Sequence, residues 1–401
     1  MSSLLNPLII HLKNILRIFL LHQDLYAIYK LLFSLSLRKK NTVYLLNQRS
    51  FGFGHQILEL RYARKVSKSR YAIILSTKRF ANKFLHTKMT SGCIRTIKFN
   101  FTFIYDIVSV YLESKNYIDV GAAPNELSCK FGIKYGIEYK IFQYANEGYR
   151  RIYDSFPSRD FSDLPQFFTQ SEESSLYKKL RNRGINPNIW FTVLHIRNGD
   201  WSRIRNTSLE AYSDAIDFIL QKGGQVLLTG DDLSNTKDLP YLSKNTQGDL
   251  QLFALAKQKM MIACSSGPQH ASFLFDLPVI LTNHMFWETF PWSCKDSSLP
   301  KMIRSKKTNK FLNRSEYMEL RKSGRYSIEG IDCDYELVDN STEEIRTAVV
   351  NKLNELETND YKGRNSQSKF INSFDESSYV HSTHSKIDDS YYKKYKKYFE
   401  N

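Results

Sequence analysis

The run from residue 190 to residue 281 permits few folds besides a parallel sheet. It holds four short, nearly continuous apolar segments: residues 190–196 (WFTVLHI), 225–229 (QVLLT), 260–264 (MMIAC) and 278–281 (PVIL). Strands that are apolar on both sides are buried on both sides, which is the condition inside a parallel sheet. Between them lie stretches with helical spacing. Thr207 and Glu210 have capping-box spacing and open a helix in which Leu209, Tyr212, Ile216, Ile219 and Leu220 share a face. Gly223 and Gly224 close it. Residues 249–258 and 268–275 read as two more helices. Strands alternating with helices in this order predict right-handed crossovers and a doubly wound α/β sheet.

The earlier chain follows the same grammar more weakly. Residues 42–47 and 71–76 read as strands, and 94–99 and 117–120 as further candidates. A helix carries Ile57, Leu58, Leu60 and Ala63. Residues 151–187 read as a polar connector with one helix. Residues 358–401 are rich in Ser, Tyr, Lys and Asp, with little apolar periodicity, and read as a mobile or loosely docked tail. With 401 residues the chain has room for two domains. The expected division is 1–40, basic helices; 41–187, a first Rossmann-like domain with its connector; 188–357, a second; and 358–401, the tail.

The formal net charge of +16 predicts attraction to polyanions. No nucleic-acid motif accompanies it and the basic residues form no single stripe, so nucleic acid is not an expected partner. Five scattered cysteines without a CxxC pair argue against a structural zinc site or a disulfide framework, and fit a reducing compartment. Residues 1–40 carry Lys13, Arg17, Lys30, Arg38, Lys39 and Lys40 against Asp24 alone. Residues 8–21 are apolar but interrupted by a polar face of His11, Asn14 and Arg17. Such a segment reads as an amphipathic helix on an anionic membrane surface, or as a helix packed on the protein itself, rather than as a spanning helix.

In an open α/β sheet, ligands sit beyond the carboxyl ends of the strands. Three loops of the second domain qualify. In the first, His195, Arg197 and Asp200 follow one another within six residues; alternation puts His195 and Arg197 on one side. An arginine there suits bidentate binding of phosphate oxygens, with Asp200 orienting it or capping the next turn. In the second, Gly230 permits a tight turn, and Asp231 and Asp232 offer acceptors to a ribose or base, or form a plain acidic turn. In the third, Ser265, Ser266 and Gly267 precede a helix whose N-terminus favours anions. His270, in its first turn, faces the ligand or stacks on the sheet. In the first domain, Gly52 and Gly54 lie in a strand-to-helix loop from which His55 or Glu59 could reach a substrate.

Taken together these residues resemble a family of bacterial glycosyltransferases associated with surface-polysaccharide and lipopolysaccharide synthesis. The resemblance rests on His195 and Arg197; Arg205, Asn206 and Tyr212; Gly230 and Asp231; Ser265, Ser266 and Gly267; the segment PVILTN from Pro278; Pro291, Trp292 and Ser293 with Asp296, Pro300 and Lys301; and Gly54 and His55. Glu329, Gly330 and Ile331, then Asp339, Asn340 and Ser341 with Glu344 and Ile345, are similar to its closing segment. The resemblance spans about residues 41–357. The HxRxGD stretch is also similar to fucosyltransferases of the GT-B type. The resemblance implies two Rossmann-like, doubly wound domains facing a cleft, the donor bound by the second. Donor-binding residues would be His195, Arg197, Gly230, Asp231, Ser265, Ser266, Gly267 and His270, with Gly52 and Gly54 on the acceptor side. Catalytic candidates are His55, Glu59 and Asp200.

The activity so implied is hexosyl or fucosyl transfer from a nucleotide sugar to a glycan or lipid-linked acceptor at the cytoplasmic face of a membrane. No cofactor or metal is expected, because Arg197 and the serine loop would take up the charge of the departing diphosphate. Asp332 and Asp334 have DxD spacing but lie outside the strand-end loops. The competing reading is a non-catalytic module of the same fold that binds an acidic glycan or a nucleotide.

Overall fold

The computed structural model describes residues 16, 19–28, 42–45, 53–67, 72–77, 81–91, 94–101, 104, 107–108, 118–120, 149–150, 152–156, 160–200, 202–230, 239–243, 246, 248–328, 330–361, 364–376 and 378–401. Two compact units are present: Met1–Ser155 with Asp163–Pro165, and Phe156–Ser162 with Gln166–Asn401.

In the first unit, β1 (Thr42–Leu45), β2 (Ala72–Thr77), β3 (Ile94–Phe99) and β4 (Ile118–Val120) form a parallel sheet in the order β3-β2-β1-β4. Helix α1 (Phe53–Ser67) is enclosed nearly all round, burying Ile57, Leu58, Leu60, Tyr62 and Ala63. Two of its buried polar residues, Gln56 and Arg61, have partners inside. The Gln56 amide donates to the Asn82 carbonyl and accepts from the Asn82 N–H, each at 2.8 Å, and the Asn82 side chain caps α2 (Lys83–Thr90). Arg61 pairs with Asp163 at 3.5 Å, both fully buried.

The second unit holds a seven-stranded, fully parallel sheet. Its strands are β5 (Phe191–Ile196), β6 (Gln225–Gly230), β7 (Tyr241–Ser243), β8 (Met260–Ala263), β9 (Val279–His284), β10 (Ser297–Pro300) and, after the antiparallel pair β11 (Met302–Ser305) and β12 (Tyr335–Val338), β13 (Lys386–Ile387). Their spatial order is β13-β10-β9-β8-β5-β6-β7. Every residue of β5, β8 and β9 is buried, as their apolar runs require.

Several expectations change. The boundary between units falls near residues 156–166 and not at 187. Helix α3 (Gln170–Arg181) belongs to the second unit because Lys179 and Glu173 pair with Asp249 and Lys257 of α5 (Gly248–Lys257), α4 being Ser213–Gln221, and Tyr177 sets its ring edge-on to Phe253. The capping box at Thr207 does not form. The Thr207 hydroxyl accepts from the Asn283 amide at 3.2 Å, and α4 starts later, behind a 3-10 turn (Glu210–Tyr212). Gly223 and Gly224 do end α4, with φ of 74° at Gly223 and the Gly224 N–H on the Ile219 carbonyl at 3.0 Å.

The segment expected to be a mobile tail is built into the fold. After α6 (Arg314–Lys322) and α7 (Thr342–Thr358), β13 adds a strand beside β10, and a last helix, α8 (Asp389–Phe399), follows. Phe399 is fully buried, edge-on to Trp287 at 5.1 Å, while Trp287 stacks on Tyr317 at 4.4 Å. The anchors are aromatic at positions 370, 391, 392 and 399 and aliphatic at 371, 380 and 387, spread over short elements, so no single period reports them.

Two buried titratable groups of this unit pull in opposite directions. Burial pushes the His284 imidazole down to about 3. The fold therefore holds it neutral, while the unfolded chain takes up a proton below its ordinary value of 6.5; this contribution to stability is full above that value and is lost as pH falls toward 3. Burial pushes Asp296 up to about 7, against the Ser293 and Val279 N–H groups that its carboxylate accepts. Its contribution is full below the ordinary carboxylate value and is lost as pH rises through 7. Between about pH 4.5 and 6.5, His284→Gln is therefore expected to lessen the fall of Tm on acidification and Asp296→Asn to steepen it. Melting curves across that window check both.

Candidate functional site

From β5 the chain lays down β6 and β7 on one side, then returns to place β8 on the other side of β5. The order reverses between β5 and β8, and the loops leaving their carboxyl ends diverge there. Such a switch point is where open α/β sheets hold ligands. The loop from β5 begins with Arg197; the loop from β8 is Cys264, Ser265, Ser266.

The first of these loops folds back on itself. Asn206 accepts from the Gly199 N–H at 3.2 Å and donates to the Gly199 carbonyl at 2.9 Å. The Thr207 N–H returns to the Arg197 carbonyl at 3.2 Å. Ser202 adopts the left-handed conformation, φ 55°, and donates its hydroxyl to the Ile328 carbonyl. These bonds bring a second guanidinium to the site. Arg205 donates from Nε to the Ser202 hydroxyl at 3.1 Å and from Nη1 to the Ser265 carbonyl at 3.4 Å. Arg197 meets the same loop one residue earlier. Burial raises the Cys264 thiol to about 11, and the Arg197 backbone N–H and the charges of Arg197 and Lys301 act against that rise. Arg205 thus bonds the loop directly, while Arg197 and Lys301 act on its first residue, Cys264, through their charge. The carboxylate paired with Lys301 is Asp339, at 2.7 Å.

Behind them is a buried polar frame. Lys301 donates to the Asn206 carbonyl at 3.3 Å. Asn283, at φ 49°, exchanges two backbone–amide bonds with Asn340, of 2.6 and 2.7 Å. The Tyr212 hydroxyl meets Thr282 at 2.8 Å. Asn206, Tyr212, Thr282, Asn283, Lys301 and Asn340 all belong to the motif set quoted above. Their bonds show that they hold the strand ends and the folded-back loop in place.

The other expected residues fall as follows. His195 is buried, with Nδ1 3.1 Å from the Thr229 hydroxyl on β6, which ties the first two loops together. Gly230, at φ 132°, lies so close to β5 that a Cβ would sit 1.8 Å from the Ile196 carbonyl oxygen. Ser265 is buried, and the Ser266 side chain makes no capping bond. The helix expected from residue 268 is a 3-10 turn (Gly267–Ala271) followed by one α-turn (Ser272–Phe275). So short a run adds little helix dipole, and positive charge reaches the loop through the bond from Arg205. His270 lies in that 3-10 turn with Nε2 near the Gln269 amide.

Asp200 departs from expectation. Its carboxylate is 97% exposed and pairs with Arg203 at 2.9 Å, so it does not serve as the orienting partner of Arg197. Gly54 lies inside α1, not in the preceding loop. His55 and Glu59 are one turn apart on α1, which places them on one helical face. His55 has Nδ1 3.2 Å from the Tyr149 hydroxyl and is half-buried, whereas Glu59 is buried. Gly52, Asp231 and Asp232 lie outside the described residues. Among the described residues, Asp332, Cys333 and Asp334 form a compact group of potential metal ligands; both carboxylates bond Arg325, at 2.8 and 3.2 Å. Arg205 and Lys301 were legible as motif residues but not as site residues. The signal that points to Arg205 is the density of cations, Arg197, Arg203 and Arg205 within nine residues; no local pattern points to Lys301.

No protein-family model matches the chain, and no curated protein matches its sequence. Solved structures do resemble it. The chain is similar to the ADP-heptose lipopolysaccharide heptosyltransferase II of Escherichia coli, at 15% identity and a TM-score of 0.47 over 80% of this chain and 99% of that one. It is similar to a glycosyl transferase family 9 protein of Veillonella parvula, at 12% identity and a TM-score of 0.46 over 80% of this chain and 98% of that one. It is also similar to the UDP-GlcNAc 2-epimerase of Methanocaldococcus jannaschii solved with UDP-GlcNAc and UDP, at 10% identity and a TM-score of 0.36 over 78% of this chain and 93% of that one.

Proposed function

We propose that this chain is a glycosyltransferase that moves a sugar from a nucleotide-sugar donor to a glycan or lipid-linked acceptor in cell-surface polysaccharide synthesis. The observation that carries the reading is the β5–β8 switch point itself, where the loop that begins with Arg197 folds back so that Arg205 bonds the Ser265 carbonyl of the serine loop. A diphosphate fits this arrangement: a guanidinium fork binds two oxygens at once, and loop N–H groups and serine hydroxyls take others. As the bond between the sugar C1 and the diphosphate oxygen breaks, negative charge grows on the leaving oxygen, where the fixed cations stabilise it. The acceptor oxygen forms the new bond to C1, and its proton passes to a base, for which the candidates read from the sequence are His55, Glu59 and Asp200. In this reading the protein's own cations serve in place of a metal, and His195 and Gly230 shape the pocket wall.

A panel of nucleotide sugars, assayed for released nucleotide and for the mass of the glycosylated acceptor, tests the proposal. Release of nucleoside diphosphate with a matching product supports it. Nucleotide binding without turnover of any donor points instead to the non-catalytic module. Arg205→Lys keeps the charge but cannot reach both Ser202 and Ser265. It is expected to weaken nucleoside-diphosphate binding about tenfold, roughly 1.4 kcal/mol, read by calorimetric titration.

A further inference from the structure

Tyr391, on α8, is buried. Its hydroxyl donates to the Pro300 carbonyl at 2.6 Å and accepts from the Asn340 amide at 3.3 Å. The same amide also donates to the Pro300 carbonyl, at 3.2 Å. Three polar groups thus close on one another at the last residue of β10. Two paths run from them to the folded-back loop. Along the first, the chain passes from Pro300 to Lys301, whose N–H donates to the His284 carbonyl at 2.8 Å and whose ammonium donates to the Asn206 carbonyl at 3.3 Å. Along the second, Asn340 exchanges its bonds with Asn283, whose amide donates to the Thr207 hydroxyl at 3.2 Å. Asn206 and Thr207 are the residues that tie the loop back, the one to Gly199 and the other to the Arg197 carbonyl. Arg205, which bonds the Ser265 carbonyl, stands directly before them.

Packing does not account for the hydroxyl. The Tyr391 ring lies 4.7 Å from that of Tyr395, a contact that a phenylalanine would keep. What the oxygen adds is a donor for one buried carbonyl and an acceptor for one buried amide, and a buried polar network is rigid only while its members are bonded. We propose that Tyr391 is a positioning residue for the arginine loop. Its hydroxyl fixes Pro300 and Asn340, and through them Asn206 and Thr207, so that Arg197 and Arg205 are held where a nucleoside diphosphate meets them. The role takes its purpose from the donor site proposed above.

The test compares two phenylalanine variants of the full chain on the same helix. Tyr391→Phe removes the hydroxyl in question. Tyr392→Phe removes one that bonds Glu400 instead, at 2.6 Å. Both side chains are buried, so both variants should lower Tm by a similar small amount. Hydrogen exchange of the unliganded protein, read by mass spectrometry over residues 197–207, is expected to quicken about tenfold in Tyr391→Phe and to stay within about twofold in Tyr392→Phe. Calorimetric titration with ADP, GDP and UDP should show roughly fivefold weaker binding in Tyr391→Phe alone, for whichever nucleotide binds the unaltered chain. If none binds it, the donor reading fails, and exchange by itself decides the role of Tyr391. Unchanged exchange over residues 197–207 in Tyr391→Phe, or an equal rise in both variants, overturns the proposal. So does faster exchange with unchanged affinity, because the loop would then loosen without consequence for the site. If Tyr391→Phe does not fold, Thr207→Val cuts the second path at its loop end and is expected to quicken exchange over the same residues; unchanged exchange there overturns the proposal as well.

Discussion

Arg197→Ala is expected to lower kcat/KM for donor turnover by about two to three orders of magnitude while the protein folds normally. The size follows from where the guanidinium sits. It leaves β5 at the switch point, beside Cys264 on the neighbouring strand end, in surroundings that are only partly hydrated. A charge-assisted bond to a leaving diphosphate is worth most there, because its strength grows as charge develops and because no water must reorient. The fold should tolerate the change. The Arg197 backbone, which accepts from Thr207 and supports Cys264, is unaffected by truncation. Arg197→Lys should recover only part of the loss, since a point charge cannot bridge two oxygens. Steady-state kinetics with the active donor, paired with melting curves, decide the matter. Turnover within twofold of the unaltered protein would remove Arg197 from the site.

Gly230→Ala is expected to destabilise the protein by about 4 kcal/mol or more. Two costs coincide at this position. The backbone φ of 132° lies where L side chains are strained. The new carbon would also stand 1.8 Å from the Ile196 carbonyl oxygen, a backbone atom of a central strand that cannot rotate away. Relief requires β5 and β6 to part at the very end that carries His195 and Arg197. Chemical denaturation should show a large drop in midpoint, or no cooperative transition at all. By contrast, Gly324→Ala, whose Cβ would meet nothing within 4 Å, should show only the cost of its positive φ.

The two predictions separate what the glycine and the arginine do. Gly230 stood among the donor-binding candidates because a glycine at a strand end permits a tight turn beside acidic acceptors. In the structure the closest approach is made by the chain's own β5. Its contribution to a binding site is to let β6 run against the strand that carries Arg197.

Much of the second unit was legible from sequence. The observed β5, β6 and β8 match their apolar runs to within a residue or so at each end, because a strand buried on both faces writes its whole environment into a few adjacent residues. The loops at the carboxyl ends followed from the alternation of strand and helix. Helix starts were less legible. Thr207 has the right spacing for a cap, but Asn283, 76 residues on, takes its hydroxyl, and no local pattern reports such competition. The last segment was not legible as part of the fold because its anchors, among them Val380, Ile387, Tyr391, Tyr392 and Phe399, are spread over short elements and set among polar residues.

By itself, then, the sequence determined the parallel α/β character, the strands that carry the site, and Arg197 at a strand end. These depend on hydrophobic pattern and chain direction, which are local properties. Only the tertiary structure decided that β8 pairs with β5, which makes two distant loops neighbours and brings Arg205 to the serine loop. It alone turned Asp200 outward to Arg203, closed Gly230 on Ile196, and rotated residues 19–28 so that Asp24 faces in. Each of these rests on a partner far away in the chain: Asn100 for Asp24, Ile196 for Gly230, Ser265 for Arg205. Hydrogen bonds and close packing act over a few ångströms of space, whatever the separation in sequence.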